Sequence, residues 1–122
     1  MRVHILPAAV LLSFAGSLGA SERLSMAVSP AQSFAPTNLT IHVRLIPDDG
    51  NRAVEVVAES DQHYRSSRIQ LDGAEAPRTI AFEFRNVPGG NYDVKAALLN
   101  GAGKERTAVR EHVVVIDPGD KE

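Results

Sequence analysis

The chain has 122 residues, room for a short leader and one domain, and its 43% hydrophobic content excludes disorder along its whole length. Its formal charge is -2, from 13 basic and 15 acidic residues, which gives no electrostatic reason to expect nucleic acid or an anionic membrane surface. There is no cysteine, which excludes thiol catalysis, thiolate zinc sites and a lipid-modified N-terminal cysteine.

Residues 1–20, MRVHILPAAVLLSFAGSLGA, have the order of a secretory signal peptide. Arg2 opens the chain, Ile5 to Ala15 is apolar apart from Pro7 and Ser13, and Gly16, Ser17, Gly19 and Ala20 supply small residues for cleavage. The apolar run is shorter than the roughly 20 residues a spanning helix needs. The expectation is therefore a cleaved leader, a periplasmic or secreted protein, and no membrane span after processing. The mature part loses one basic residue, Arg2, leaving 12 basic against 15 acidic.

Leu24, Met26 and Val28 share one parity and predict a first strand over 22–28. Ser29-Pro30 and Ala35-Pro36 bracket an irregular passage that suits an edge strand breaking to change sheet, with Phe34 plugging one end of a core. Asn38-Leu39-Thr40 has the form of an N-glycosylation acceptor. In 39–46, Leu39, Ile41, Val43 and Leu45 face in while Thr40, His42 and Arg44 face out, the alternation of a half-wet strand. Pro47 to Asn51 is a turn cluster. The strand over 53–59 puts Val54, Val56 and Ala58 on one face. The stretch 64–71 is more polar and suits a charged edge strand.

The stretch 79–98 is the centre of the pattern. Ile80, Phe82 and Phe84 alternate with polar or small residues, a Pro88-Gly89-Gly90 corner follows, and Tyr92, Val94, Ala96 and Leu98 alternate again. Asn100-Gly101 is a strong hairpin signal. In the last strand, 107–116, Val109 and Val113 share one face but Val114 and Ile116 the other, so a bulge near Glu111-His112 is expected. The polar tail is 117–122.

These periods predict an all-β protein: an antiparallel two-sheet β-sandwich of about seven strands over 21–116. The passage Asn86 to Val94, NVPGGNYDV, resembles the corner before strand F in immunoglobulin-like and fibronectin type III-like domains of bacterial exported proteins. The resemblance extends to the Asn100–Glu105 hairpin at motif level and to 22–116 as a strand pattern. It implies that Tyr92 buries its ring and bonds its hydroxyl to backbone a few residues upstream, with Val56 filling the core layer where such domains often carry Trp.

Candidate chemistry is sparse. His42 and His112 could share a metal, but no ligand motif supports them. Asp48-Asp49-Gly50-Asn51 lacks the spacing of an EF-hand. Asp61, His63 and Ser66 or Ser67 hold the residue types of a hydrolytic triad without a nucleophile elbow. Arg65, Arg68, Arg78 and Arg85 could bind an anion, yet Arg65 and Arg68 differ in parity. Tyr64 is the aromatic residue best placed to face solvent. The expectation is accordingly no enzyme, no catalytic, metal or cofactor-binding residue and no cofactor. The protein reads as an exported immunoglobulin-like module working by protein–protein contact, with Tyr64–Leu71 or Val109–Ile116 as the edge strand that meets its partner. The alternative is a small-ligand or carbohydrate-binding domain.

Overall fold

The structure is a computed structural model that describes residues 23–118. The leader, residues 1–20, and the end of the polar tail lie outside the described residues. Eight strands follow one another: β1 (Leu24–Ser29), β2 (Gln32–Phe34), β3 (Thr37–Leu45), β4 (Ala53–Glu59), β5 (Tyr64–Gln70), β6 (Thr79–Val87), β7 (Gly90–Leu99) and β8 (Glu105–Ile116). The one helical turn among the described residues is a 3-10 turn, Gly73–Glu75. No helix there is long and apolar enough to cross a membrane.

The strands form two sheets, β1-β3-β6 and β2-β8-β7-β4-β5. The all-β, two-sheet expectation holds at that level. The finer one needs correction in two respects. Among the described residues there are eight strands, where about seven were expected, and one ladder, β2 with β8, is parallel. The extra strand lies in the passage between Pro30 and Pro36, where three residues are too few to show a period. It pairs with a segment about 80 positions away, and no local pattern encodes such a partner. The chain does change sheet here: β1 pairs with β3, β2 with β8.

Alternation decides which faces meet. Leu39, Ile41, Val43 and Leu45 of β3 and Phe82 and Phe84 of β6 are buried on one side of the core. Val54, Val56 and Ala58 of β4, Tyr92, Val94, Ala96 and Leu98 of β7 and Val113 of β8 are buried on the other. The side chains from both sheets form one cluster. Burial of these apolar surfaces is the main favourable term in the fold.

Two local expectations fail and a third holds in part. Phe34 does not plug the core; it is 64% exposed on the short edge strand β2. No bulge occurs at Glu111-His112, since β7 and β8 stay in register from Gly90↔Val115 to Leu98↔Thr107 and slip only at Leu99. Val109, Val113 and Val115 point inward on one parity, while Val114 and Ile116 face outward, half-buried, where β2 joins the sheet. The expected edge over 109–116 is shortened: β7 flanks β8 on one side and β2 takes up its last three residues on the other, which leaves 109–113 without a second strand partner.

The edge strand β5 is tied to the other sheet by one side chain. Arg65 lies on the inner parity at the rim, and its guanidinium donates to the carbonyls of Arg85 (2.7 Å) and Asn86 (3.3 Å) at the end of β6. Asn86 adopts φ 55°, in the left-handed region, and its N–H donates to Asn38 Oδ1 at 3.0 Å. The side chain of the glycosylation-like tripeptide thus fastens β3 to β6.

Candidate functional site

The five-stranded sheet has two ends, and loops finish each differently. At one end stand the β4–β5 turn (residues 60–63) and the Pro88-Gly89-Gly90 corner. A cleft of about 270 Å³ opens between them, lined by Ser60, Asp61, Gln62, Gly89, Gly90 and Asn91. The corner tyrosine lies beneath this end, in the core. Tyr92 is fully buried, and its hydroxyl donates to the Pro88 carbonyl at 2.8 Å. A buried phenol needs a partner for its O–H, and a carbonyl four residues upstream supplies one. Burial holds the phenol pKa above its ordinary value, opposed by a hydrogen bond from Ser60 and by the Arg65 charge.

Close approach requires glycine at position 89 and makes position 90 tight. A Cβ on Gly90 would meet the Ser60 side chain and the Tyr92 ring at 3.2 Å. A Cβ on Gly89 would come within 2.7 Å of the Asp117 Cβ. Ser60 also builds the turn, its Oγ accepting from the N–H groups of Gln62 (3.4 Å) and His63 (3.2 Å). The side chains of Asp61, Gln62 and Asn91, by contrast, make no hydrogen bond or ion pair with other described residues.

The outer face beside the cleft continues its polarity. Cross-strand register aligns Tyr64, Glu59, Asp93 and His112 in one row over β5, β4, β7 and β8. His112 Nδ1 lies 3.5 Å from Asp93 Oδ1, and both side chains are exposed. The next row carries Lys95, which pairs with Glu105 at 2.8 Å, and Arg110. This row was not visible in the sequence, because its members are separated by turns whose lengths set the register.

The other candidates fall apart or serve structure. His42 lies on the outer face of the three-stranded sheet, in register with Ala27 and Ala81. His112 lies on the outer face of the other sheet, so the core separates the two. Asp48 Oδ1 accepts from Gly50 N–H (2.8 Å) and Arg106 (3.1 Å), and Asn51 Oδ1 accepts from Arg106 at 2.7 Å. Oxygens that calcium would need are thereby taken up by donors of the protein. The Gly50 N–H, with Arg106 second, holds the Asp48 carboxyl below its ordinary pKa. Among the described residues no hydrogen bond joins Asp61, His63 and either Ser66 or Ser67, which successive strand positions turn to opposite faces. Arg65 and Arg68 do diverge: Arg65 grips β6, while Arg68 pairs with Glu55 at 3.4 Å and Arg85 with Glu83 at 3.2 Å. No group of three or more His, Cys, Asp or Glu able to hold a metal ion occurs among the described residues.

No protein-family model matches the chain, and no curated protein matches it. Solved structures do. The chain is similar to a superoxide reductase (neelaredoxin) from Ignicoccus hospitalis, with TM-score 0.60 and 13% identity over 85% of each chain. A second variant of that enzyme gives TM-score 0.54 and 9% identity over 86% of each chain. At such identities the likeness is one of fold.

It nevertheless overturns part of the reading from sequence. The structures found are superoxide reductases, not immunoglobulin or fibronectin type III domains, so that resemblance is corrected. The corner that carried it is a local solution to burying a phenol, and it marks a bend in a two-sheet protein rather than a family. The expectations of a non-catalytic module working by protein contact, and of no enzyme, fall with it, because they leaned on that fold assignment and on the lack of linear motifs. The shared scaffold is one on which the solved neighbours carry an enzyme's name.

Proposed function

We propose that this protein, exported by its leader, takes a small organic cation as substrate in the cleft between residues 60–62 and 89–91. The observation that carries the reading is that Asp61, Gln62 and Asn91 line one concavity and are unengaged by other described residues. What sets these three apart from other exposed polar side chains is that they converge on one cleft, where their acceptors are available to a ligand. A carboxylate and two amide oxygens present hydrogen-bond acceptors, which suit an ammonium group. Glu59, next to Ser60, and Asp93, two residues beyond Asn91, add negative charge that attracts a cation. Enzymes built on the same scaffold support reading the cleft as a substrate site.

The substrate in the neighbours' name does not transfer to this cleft. Superoxide is an anion, and the carboxylates here repel it.

Putrescine is a suitable probe, with succinate as its anionic counterpart of equal chain length. Titration followed by NMR should shift the amide signals of Gln62 and Asn91 with putrescine and leave them unmoved by succinate. Asp61→Asn should weaken putrescine binding by about tenfold, the cost of one charge-assisted hydrogen bond. Equal responses to both probes, or none to either, would remove the reading.

A further inference from the structure

We infer that this chain has kept the fold of the superoxide reductases without a redox-metal centre of its own. The inference goes beyond the cleft and is independent of it. Reduction of superoxide adds one electron and two protons to each superoxide to give hydrogen peroxide. The electron passes through a redox-active group, which in a protein is a thiol, an organic cofactor or a transition metal. The whole chain has no cysteine, so a thiol and a thiolate ligand are both excluded. A resident transition metal takes three or more imidazole, thiolate or carboxylate ligands converging on one point.

The donors present do not converge. The three described histidines occupy three separate places. His42 has alanines directly opposite it on both neighbouring strands, and the nearest carboxylate on that face, Glu83, is a diagonal neighbour that pairs with Arg85. His63 sits in the β4–β5 turn, where its backbone carbonyl closes the turn on the Ser60 N–H. His112 approaches Asp93 alone, at 3.5 Å, and the two side chains are 58% and 75% exposed. Glu59 follows in the same row, yet no trio of donors is assembled there or elsewhere among the described residues. His4, the remaining histidine, belongs to the leader segment. Two exposed donors on an open sheet face hold a metal weakly and leave it exchanging with water. The mismatch thus lies in the ligand set and its placement.

The test is metal loading of the exported protein, purified without chelator. It is exposed separately to Fe(II), Mn(II), Cu(II) and Zn(II), desalted, and assayed for metal per chain and for superoxide decay by stopped flow. The expected result is substoichiometric metal in every case and decay at the rate of the buffer containing the same metal. His112→Ala should change neither readout. Retention of one equivalent of any of these metals, whether or not His112→Ala removes it, would overturn the inference. So would superoxide consumption above the metal-matched buffer. Because putrescine binding is read without metal, failure of the cleft and failure of this inference are told apart.

Discussion

The two ends of the five-stranded sheet spend their polar residues in opposite ways. At the end holding residues 48–51 and 100–106, side chains are tied to one another. Arg106 bridges Asp48 and Asn51, Asn51 Nδ2 donates to the Ile46 carbonyl, and Asn100 Oδ1 accepts from the N–H groups of Ala102 and Lys104. Asn51 is only 3% exposed, so its bonds are needed to offset its burial. At the other end, the phenol of Tyr92 and the hydroxyl of Ser60 settle the backbone, and the side chains of Asp61, Gln62 and Asn91 line a cleft without a partner among the described residues. Polarity used for folding at one end is available for recognition at the other.

The largest effect should come from removing the anchor of the cleft end. Tyr92→Ala should destabilise the protein by about 3–5 kcal/mol, the range for losing a buried aromatic side chain. Urea denaturation measures it, and a loss below about 1 kcal/mol would mean that the corner does not rest on this ring. Next in size is the tied end: Asn51→Ala should cost about 1–3 kcal/mol, because the Ile46 carbonyl and Arg106 lose a partner in a covered site.

The ends should also part company with pH. Tyr92 has a raised pKa in the folded state, so its contribution is complete below pH 10 and is lost as pH rises through the folded value. Asp48 has a lowered pKa, so its contribution is present above its ordinary 3.8 and is lost as pH falls through the folded value. Thermal melts across pH should show Tyr92→Phe flattening the alkaline limb alone and Asp48→Asn the acid limb alone. The acid effect should be the smaller, since Asp48 is solvent-exposed and its charge is screened. A variant that flattens both limbs would break the comparison.

The strands were legible because each carries its burial in a two-residue period: β3, β4, β6 and β7 need no information beyond their own residues. The Tyr92 corner was legible for the same reason, as its bond spans four residues. What could not be read depends on partners distant in the chain. The parallel pairing of β2, the Arg65 bond across the sheets and the row of Glu59, Asp93 and His112 are fixed by register between strands. The cleft belongs to this second kind. Residues 60–62 and 89–91 are nearly 30 positions apart, and as sequence they are two ordinary polar turns. Of the triad types near Asp61, Asp61 itself lines the cleft, while Ser66 and Ser67 belong to β5.

The smallest expected effect on stability is the sharpest test of the contrast. Asp61→Asn and Gln62→Ala should each change unfolding free energy by less than about 0.5 kcal/mol, the usual range for surface side chains that hold nothing in place. A comparable change at the tied end, Asn51→Ala, should not be silent. If Asp61→Asn proved as costly as Asn51→Ala, its carboxylate would be doing structural work, and the cleft would be a second knot like the first. If it is silent in urea yet weakens putrescine binding, the carboxylate acts on the ligand and not on the fold. Stability and binding measured on the same variant therefore separate a residue kept for the scaffold from one kept for the site.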